Sequence, residues 1–276
     1  MTVSTTSPQV APARESAGRL WLSRLRSFLF WDPLIWSYTV VLGCLSLLAS
    51  FFDRDGRIQH GFARFWSRMI LGTVGANVTV EGLDKIDISK ACIYAVNHLS
   101  ALDIPILYRH LPFQFRILAK KELFRYPFMG WHLRRSGQIA VDQQNIRSSV
   151  RSIGKAVNSL QANLPIVIFP EGGRSPDGQL QPFMSGAFYL AIKAQVDVVP
   201  MAILGSYRML PINSFHIRPC PLKLLVGKPI STAGMNIRSM DTLAQTARES
   251  IASLYYSHVP PLDDAPPHLE NQESQE

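Results

Sequence analysis

Residues 91–105 read ACIYAVNHLSALDIP. The opening run, ACIYAVN, is short and apolar and reads as a buried strand. Asn97 and His98 end it, and Ser100 with Asp103 fits the capping-box pattern that begins a helix. Pro105 agrees, because proline is best tolerated in a helix's first turn. A strand that turns directly into a helix is the repeating unit of an α/β sheet. Six further runs share the strand texture: NVTVEGL, QFRILAK, GQIAV, LPIVIF, VDVVPMAIL and PLKLLVG. Between them, Ile146, Val150, Ile153, Val157 and Leu160 recur at helical spacing, and MSGAFYLAIKAQ is a second helical pattern. The expected fold is therefore α/β, a central mixed β-sheet flanked by helices.

The chain before this sheet has a different character. Residues 33–52, PLIWSYTVVLGCLSLLASFF, carry no charge, and about 20 apolar residues suffice to span a bilayer. Trp31 and Trp36 stand near the start, where interfacial aromatics belong. Arginines 19, 24 and 26 precede the run and arginines 54, 57, 64 and 68 follow it, so charge does not orient a simple span. In residues 57–74, Ile58, Phe62, Phe65, Trp66, Met69 and Ile70 form an apolar stripe with the arginines largely opposite. These features predict an N-terminal membrane-associating helical hairpin, surface-lying or re-entrant, with both ends and the active site on the cytoplasmic face. The expected organisation is a disordered segment 1–19, a membrane-associated helical segment 20–72, a sheet domain 73–258 and a disordered acidic tail 259–276.

The 276 residues carry 28 Lys+Arg against 20 Asp+Glu, a formal charge of +8. That balance suits an anionic membrane or a phosphorylated substrate. No nucleic-acid recognition motif accompanies it, and the arginines cluster beside the apolar run, so nucleic acid is not an expected partner. Cys44, Cys92 and Cys220 are odd in number and far apart, which gives neither a disulfide framework nor a zinc site. Cys92 is expected to pack in its strand. His60, His110, His132 and His216 show no ligand spacing, and no metal is expected.

Three segments carry chemistry. On an ideal helix five residues advance about 500°, so His98 and Asp103 would stand some 140° apart. They meet only if His98 lies outside the helix and Asp103 reaches back to it. IVIFPEGGRS, residues 166–175, runs from a strand into Glu171, Gly172, Gly173 and Arg174. Its glycines allow close backbone approach to an anion, and Arg174 offers a planar fork for phosphate oxygens. RILAKKELFRYPFMGW, residues 116–131, sets Lys120 and Lys121 just past a strand.

In this order, NHLSALD, AKKELFRYPFMGW, FPEGGRS and VVPMAI resemble the 1-acylglycerol-3-phosphate acyltransferase family of membrane glycerolipid enzymes, over roughly residues 92–204. The resemblance implies an acyltransferase: His98 as general base, Asp103 as its orienting partner, and Lys120, Glu171, Gly172, Gly173 and Arg174 as acceptor-binding. It implies transfer of a fatty acyl group from acyl-CoA or acyl carrier protein to 1-acylglycerol-3-phosphate at a phospholipid bilayer, with no cofactor beyond that co-substrate. Three positions depart from the family pattern. Gln143 stands where arginine usually follows Asp142, Gly173 replaces a threonine, and Met184 occupies a common lysine position. Other lysophospholipids, or glycerol-3-phosphate, remain alternative acceptors. A non-catalytic lipid-binding protein is the alternative outside enzymes, although a binding module has no need of the His98–Asp103 pair.

Overall fold

The structure, a computed structural model, describes residues 17–142 and 146–258. Seven strands form one sheet: β1 (Val78–Glu81), β2 (Ile93–Val96), β3 (Arg116–Lys120), β4 (Ile139–Val141), β5 (Ile166–Ile168), β6 (Val198–Leu204) and β7 (Leu222–Val226). Each lies within one of the seven strand-like runs of the sequence. The order across the sheet is β1-β7-β6-β2-β5-β3-β4. Among the described strands, β6 and β7 alone pair antiparallel, so the sheet is mixed. Ile93 of β2 stands in register with Ile166 on one side and Val198 on the other.

Helices cover both faces, and β2 alternates between them as a strand must. Tyr94 and Val96 join a core with Ile106, Leu107, Phe115 and Met201. Ile93 and Ala95 join the opposite core with Leu160, Ile168, Ala202 and Ile251. The first core lies under α3 (Arg57–Thr73) and α4 (Asp103–His110), the second under α6 (Ile146–Gln161), α7 (Tyr189–Ala194) and α9 (Met240–Tyr256); two short helices, α5 (Met129–Arg135) and α8 (Ser206–Met209), are also present. Burial on both faces explains the unbroken apolar runs in the sequence. Because β2, β5 and β3 run parallel, their carboxyl ends fall on one edge, where ligands of open α/β sheets bind.

Ahead of the sheet, α1 (Ala17–Arg26), a π-type turn (Ser27–Trp31) and α2 (Asp32–Ala49) follow without interruption. Residues 17–19 open this helix; the rest of the expected N-terminal disordered segment, and the tail 259–276, lie outside the described residues. The stretch Trp21–Ala49 is long and apolar enough to cross a membrane, and only 11% of its most apolar window is buried. One face rests on the protein along its length. Ser23 Oγ bonds His216 Nε2, Ser27 Oγ accepts from Ile217 N, Thr39 Oγ1 accepts from Trp66 Nε1, and Ser46 Oγ bonds His132 Nδ1. The other face exposes Trp21, Phe28, Phe30, Trp36, Val40 and Leu48.

Helix α3 departs from its apolar stripe. Gln59, His60 and Ser67 are buried with Ile70 and Leu71, while Ile58 and Phe65 point outward. Polar partners inside the fold account for part of this: Gln59 Nε2 donates to Ser46 O, and the His60 ring packs against Tyr108 and Phe115.

Candidate active site

Asn97 ends β2 by pairing its side chain with the next strand. Its Nδ2 donates to Ile203 O at 3.0 Å and its Oδ1 accepts from Ile203 N at 2.7 Å. The amide thus copies one rung of a β-ladder and joins β2 to β6 after the backbone has turned away. His98 is the first residue beyond the sheet edge.

Asp103 opens α4 and is fully buried. One carboxylate oxygen, Oδ2, accepts three donors: Leu99 N at 2.7 Å, Ser100 N at 2.8 Å and His98 Nδ1 at 2.9 Å. The same interaction caps the turn and orients the histidine, which resolves the angular problem posed by the spacing. Because the carboxylate accepts from Nδ1, the neutral ring carries its proton there and its lone pair on Nε2. The His98 side chain is 18% exposed against 0% for Asp103. The ring stacks on Phe169 with centroids 4.1 Å apart. Ser100 Oγ donates to Leu210 O at 2.7 Å, tying the turn to the segment after β6.

Glu171 supports His98 from behind. Its Oε1 accepts from His98 N at 2.7 Å and its Oε2 from Gln181 N at 2.9 Å. A further bond runs from Ser175 N to His98 O at 2.8 Å. The turn that follows β5 is therefore stitched to the backbone of residue 98 at both its N–H and its carbonyl. Both oxygens of Glu171 already accept backbone donors, so the geometry gives it a positioning part. Gly172 holds φ at +72°, a conformation that favours glycine, and its N–H donates to Phe169 O. That N–H is engaged within the turn.

Burial pushes the Glu171 carboxyl up to about 7, against the pull of the two backbone donors and His98, with the Asp103 charge adding to the rise. A carboxyl raised in the folded state favours folding most below its usual pKa of 4.5, and the advantage is lost as pH rises through about 7. The melting temperature of wild-type protein should accordingly fall relative to Glu171→Gln between pH 5 and pH 8. A difference between the two proteins that stays constant over this range would contradict the assignment.

Lys120 ends β3 and is exposed. Its Nζ lies 3.8 Å from where a Cβ on Gly173 would stand, so lysine and glycine turn stand side by side. Arg174 is exposed at the same turn, and Met184, also exposed, donates its N–H to Pro170 O. Lys121, to which the sequence assigns no role, pairs with Asp142 Oδ2 at 3.1 Å. Gln143 lies outside the described residues. Cys92 is buried just before β2, and burial pushes its thiol up to about 11, which makes it a packing residue and a poor nucleophile.

Comparison with known proteins finds similar chains. The acyltransferase family profile matches residues 77–204. A 1-acyl-sn-glycerol-3-phosphate acyltransferase of Cocos nucifera is 30% identical over 207 residues, 74% of this chain and 65% of the relative. Another, of Chlamydomonas reinhardtii, is 29% identical over 241 residues, 84% of this chain and 70% of that one. The chain thus spans 65% of the length of the coconut protein. The crystal structure of the 1-acyl-sn-glycerophosphate acyltransferase PlsC from Thermotoga maritima superposes with a TM-score of 0.65, covering 86% of this chain and 96% of that chain at 24% identity. At that identity the likeness is one of fold.

Proposed function

We propose that this chain, whose residues 77–204 match the acyltransferase family profile, transfers a fatty acyl group from a thioester to the free hydroxyl of 1-acylglycerol-3-phosphate, giving phosphatidic acid. The observation that carries this reading is the His98–Asp103 pair, with His98 held outside α4 and its Nε2 left to meet substrate. The acceptor hydroxyl gives its proton to Nε2 as its oxygen attacks the thioester carbonyl. Asp103 stabilises the imidazolium that forms. The C–S bond then breaks, the new ester remains on the acceptor, and the proton leaves with the thiol of coenzyme A or the acyl carrier protein. The two substrates react directly, without an acyl-enzyme.

The surface formed by Lys120, Gly173 and Arg174 is the proposed seat of the acceptor phosphate. Two exposed cations with no bulky side chain on Gly173 leave room for it. A charge-assisted contact contributes roughly 1.5–3 kcal/mol, so Arg174→Ala should raise the acceptor KM about tenfold or more and leave the donor KM nearly unchanged. A rise in the donor KM alone would assign the turn to coenzyme A instead. Rates measured across lysolipids with different headgroups, with products identified by mass, test the acceptor itself. Lysophosphatidic acid should be used fastest; equal use of neutral-headgroup lysolipids would sink the assignment.

The N-terminal helix supports membrane association. The 29 residues Trp21–Ala49 extend about 44 Å, more than the roughly 30 Å hydrocarbon core requires. Yet bonds from Ser23 to Ser46 hold the helix against the protein along most of that length. A helix so held lies along a membrane surface, with its row of exposed aromatics and aliphatics in the lipid. The catalytic edge then faces the lipid–water boundary from the cytoplasmic side.

A further inference from the structure

Between α1 and residues 213–218 lies a cavity of about 330 Å³. Arg24, Asn213, Ser214, His216 and Arg218 supply its polar lining, and Phe28 and Phe215 its apolar one. No acidic side chain lines it, and no ion pair among the described residues uses Arg24 or Arg218. Two guanidinium groups line one opening without an anion among the described residues to neutralise them. Phe28 and Phe215 are 70% and 64% exposed, and Phe28 belongs to the outward apolar face of the N-terminal helix.

The lining is held in place. Arg218 Nε donates to His216 Nδ1 at 3.2 Å, so His216 presents its other ring nitrogen, as N–H, to Ser23 Oγ at 2.6 Å. Ile217 N donates to Ser27 Oγ, and His216 N to Ser214 Oγ. Asn213 turns the chain with φ at +57°, a conformation uncommon outside glycine. The segment thus bridges α1 to Leu210, whose carbonyl accepts the Ser100 hydroxyl of the catalytic turn.

We propose that this cavity binds the phosphate of an anionic bilayer phospholipid. Arginine forks match phosphate oxygens in pairs, Asn213 and Ser214 can complete the hydrogen bonding, and the two exposed phenylalanines sit where acyl chains begin. The site stands apart from the proposed acceptor seat. It follows β6, whereas Lys120 and Arg174 follow β3 and β5 on the other side of β2. The inference rests on the membrane-lying reading of the N-terminal helix.

Co-sedimentation of the full chain with vesicles tests it, comparing phosphatidylcholine alone with phosphatidylcholine containing phosphatidylglycerol. Phosphatidylglycerol should raise wild-type binding by roughly tenfold or more, as two guanidinium–phosphate contacts imply. The double variant R24K/R218K keeps the charge at exposed positions but loses the forks, and should lose most of that gain while binding phosphatidylcholine as wild type does. An undiminished gain in the double variant would mean a diffuse surface field and overturn the site. Removal of the gain by inorganic phosphate at matched ionic strength would make the free ion the ligand and overturn the lipid. Failure of wild-type protein to sediment with either vesicle would overturn the membrane reading itself, and the site with it.

Discussion

His98→Ala protein should fold normally, bind both substrates with little change in KM, and turn over about 10²–10⁴-fold more slowly, the range typical of a lost general base. Folding should survive because the bonds that residue 98 contributes to the architecture are those of its backbone. Its N–H reaches Glu171 and its carbonyl receives Ser175 N, whatever side chain it carries. What the substitution removes is the Nε2 lone pair, one of the three donors to Asp103 Oδ2 and one face of the stack on Phe169. Turnover within a few-fold of wild type in a protein with an unchanged melting temperature would end the mechanism.

Asp103→Asn should have the second-largest effect on turnover, also about 10²–10⁴-fold. All three donors converge on Oδ2. If the amide oxygen takes that place, the tautomer survives but the negative charge opposite the forming imidazolium is gone. If the amide nitrogen takes it, two backbone N–H groups lose their acceptor and the histidine is driven to the wrong tautomer. Either arrangement impairs proton transfer. Asp103→Ala should add a stability loss of about 1–3 kcal/mol, because Leu99 N and Ser100 N are then buried without a partner. Chemical denaturation of the two variants separates these effects. Equal stability of the Asn and Ala proteins would show that the carboxylate does not hold the turn.

The sequence announces this site only where partners lie close along the chain. His98 and Asp103 are five residues apart, and their spacing already required a turn conformation. Asn97 gives no comparable signal, since its partner Ile203 is 106 residues away and is met through backbone atoms. Glu171 is similar. Its partners are the backbone N–H groups of His98 and Gln181, which have no side-chain identity to read. The seven strands are legible because short apolar runs between turn residues suit a sheet buried on both faces. Their order is not legible, as it depends on contacts between distant segments.

Two helices show how periodicity helps and misleads. The α9 pattern Leu243, Ala244, Ala247, Ile251 and Tyr255 is a regular buried stripe at helical spacing. In α3 the apolar stripe is split: Trp66, Met69 and Ile70 pack on the core while Ile58 and Phe65 point outward. A helix whose outer surface meets lipid can bury its polar residues toward the protein, so the rule for water-exposed helices inverts. The N-terminal helix likewise leaves Phe28, Phe30 and Trp36 bare.

The central claim is that His98 drives direct acyl transfer to lysophosphatidic acid, and one measurement bears on it most directly. Purified wild-type and His98→Ala proteins are given isotopically labelled acyl-CoA with 1-acylglycerol-3-phosphate, and phosphatidic acid mass and released thiol are followed together. Wild-type protein should form labelled phosphatidic acid in step with thiol, and the variant should form neither above background on the same timescale. Labelled phosphatidic acid at comparable rates from both proteins, or thiol release by wild type without phosphatidic acid, would contradict the account.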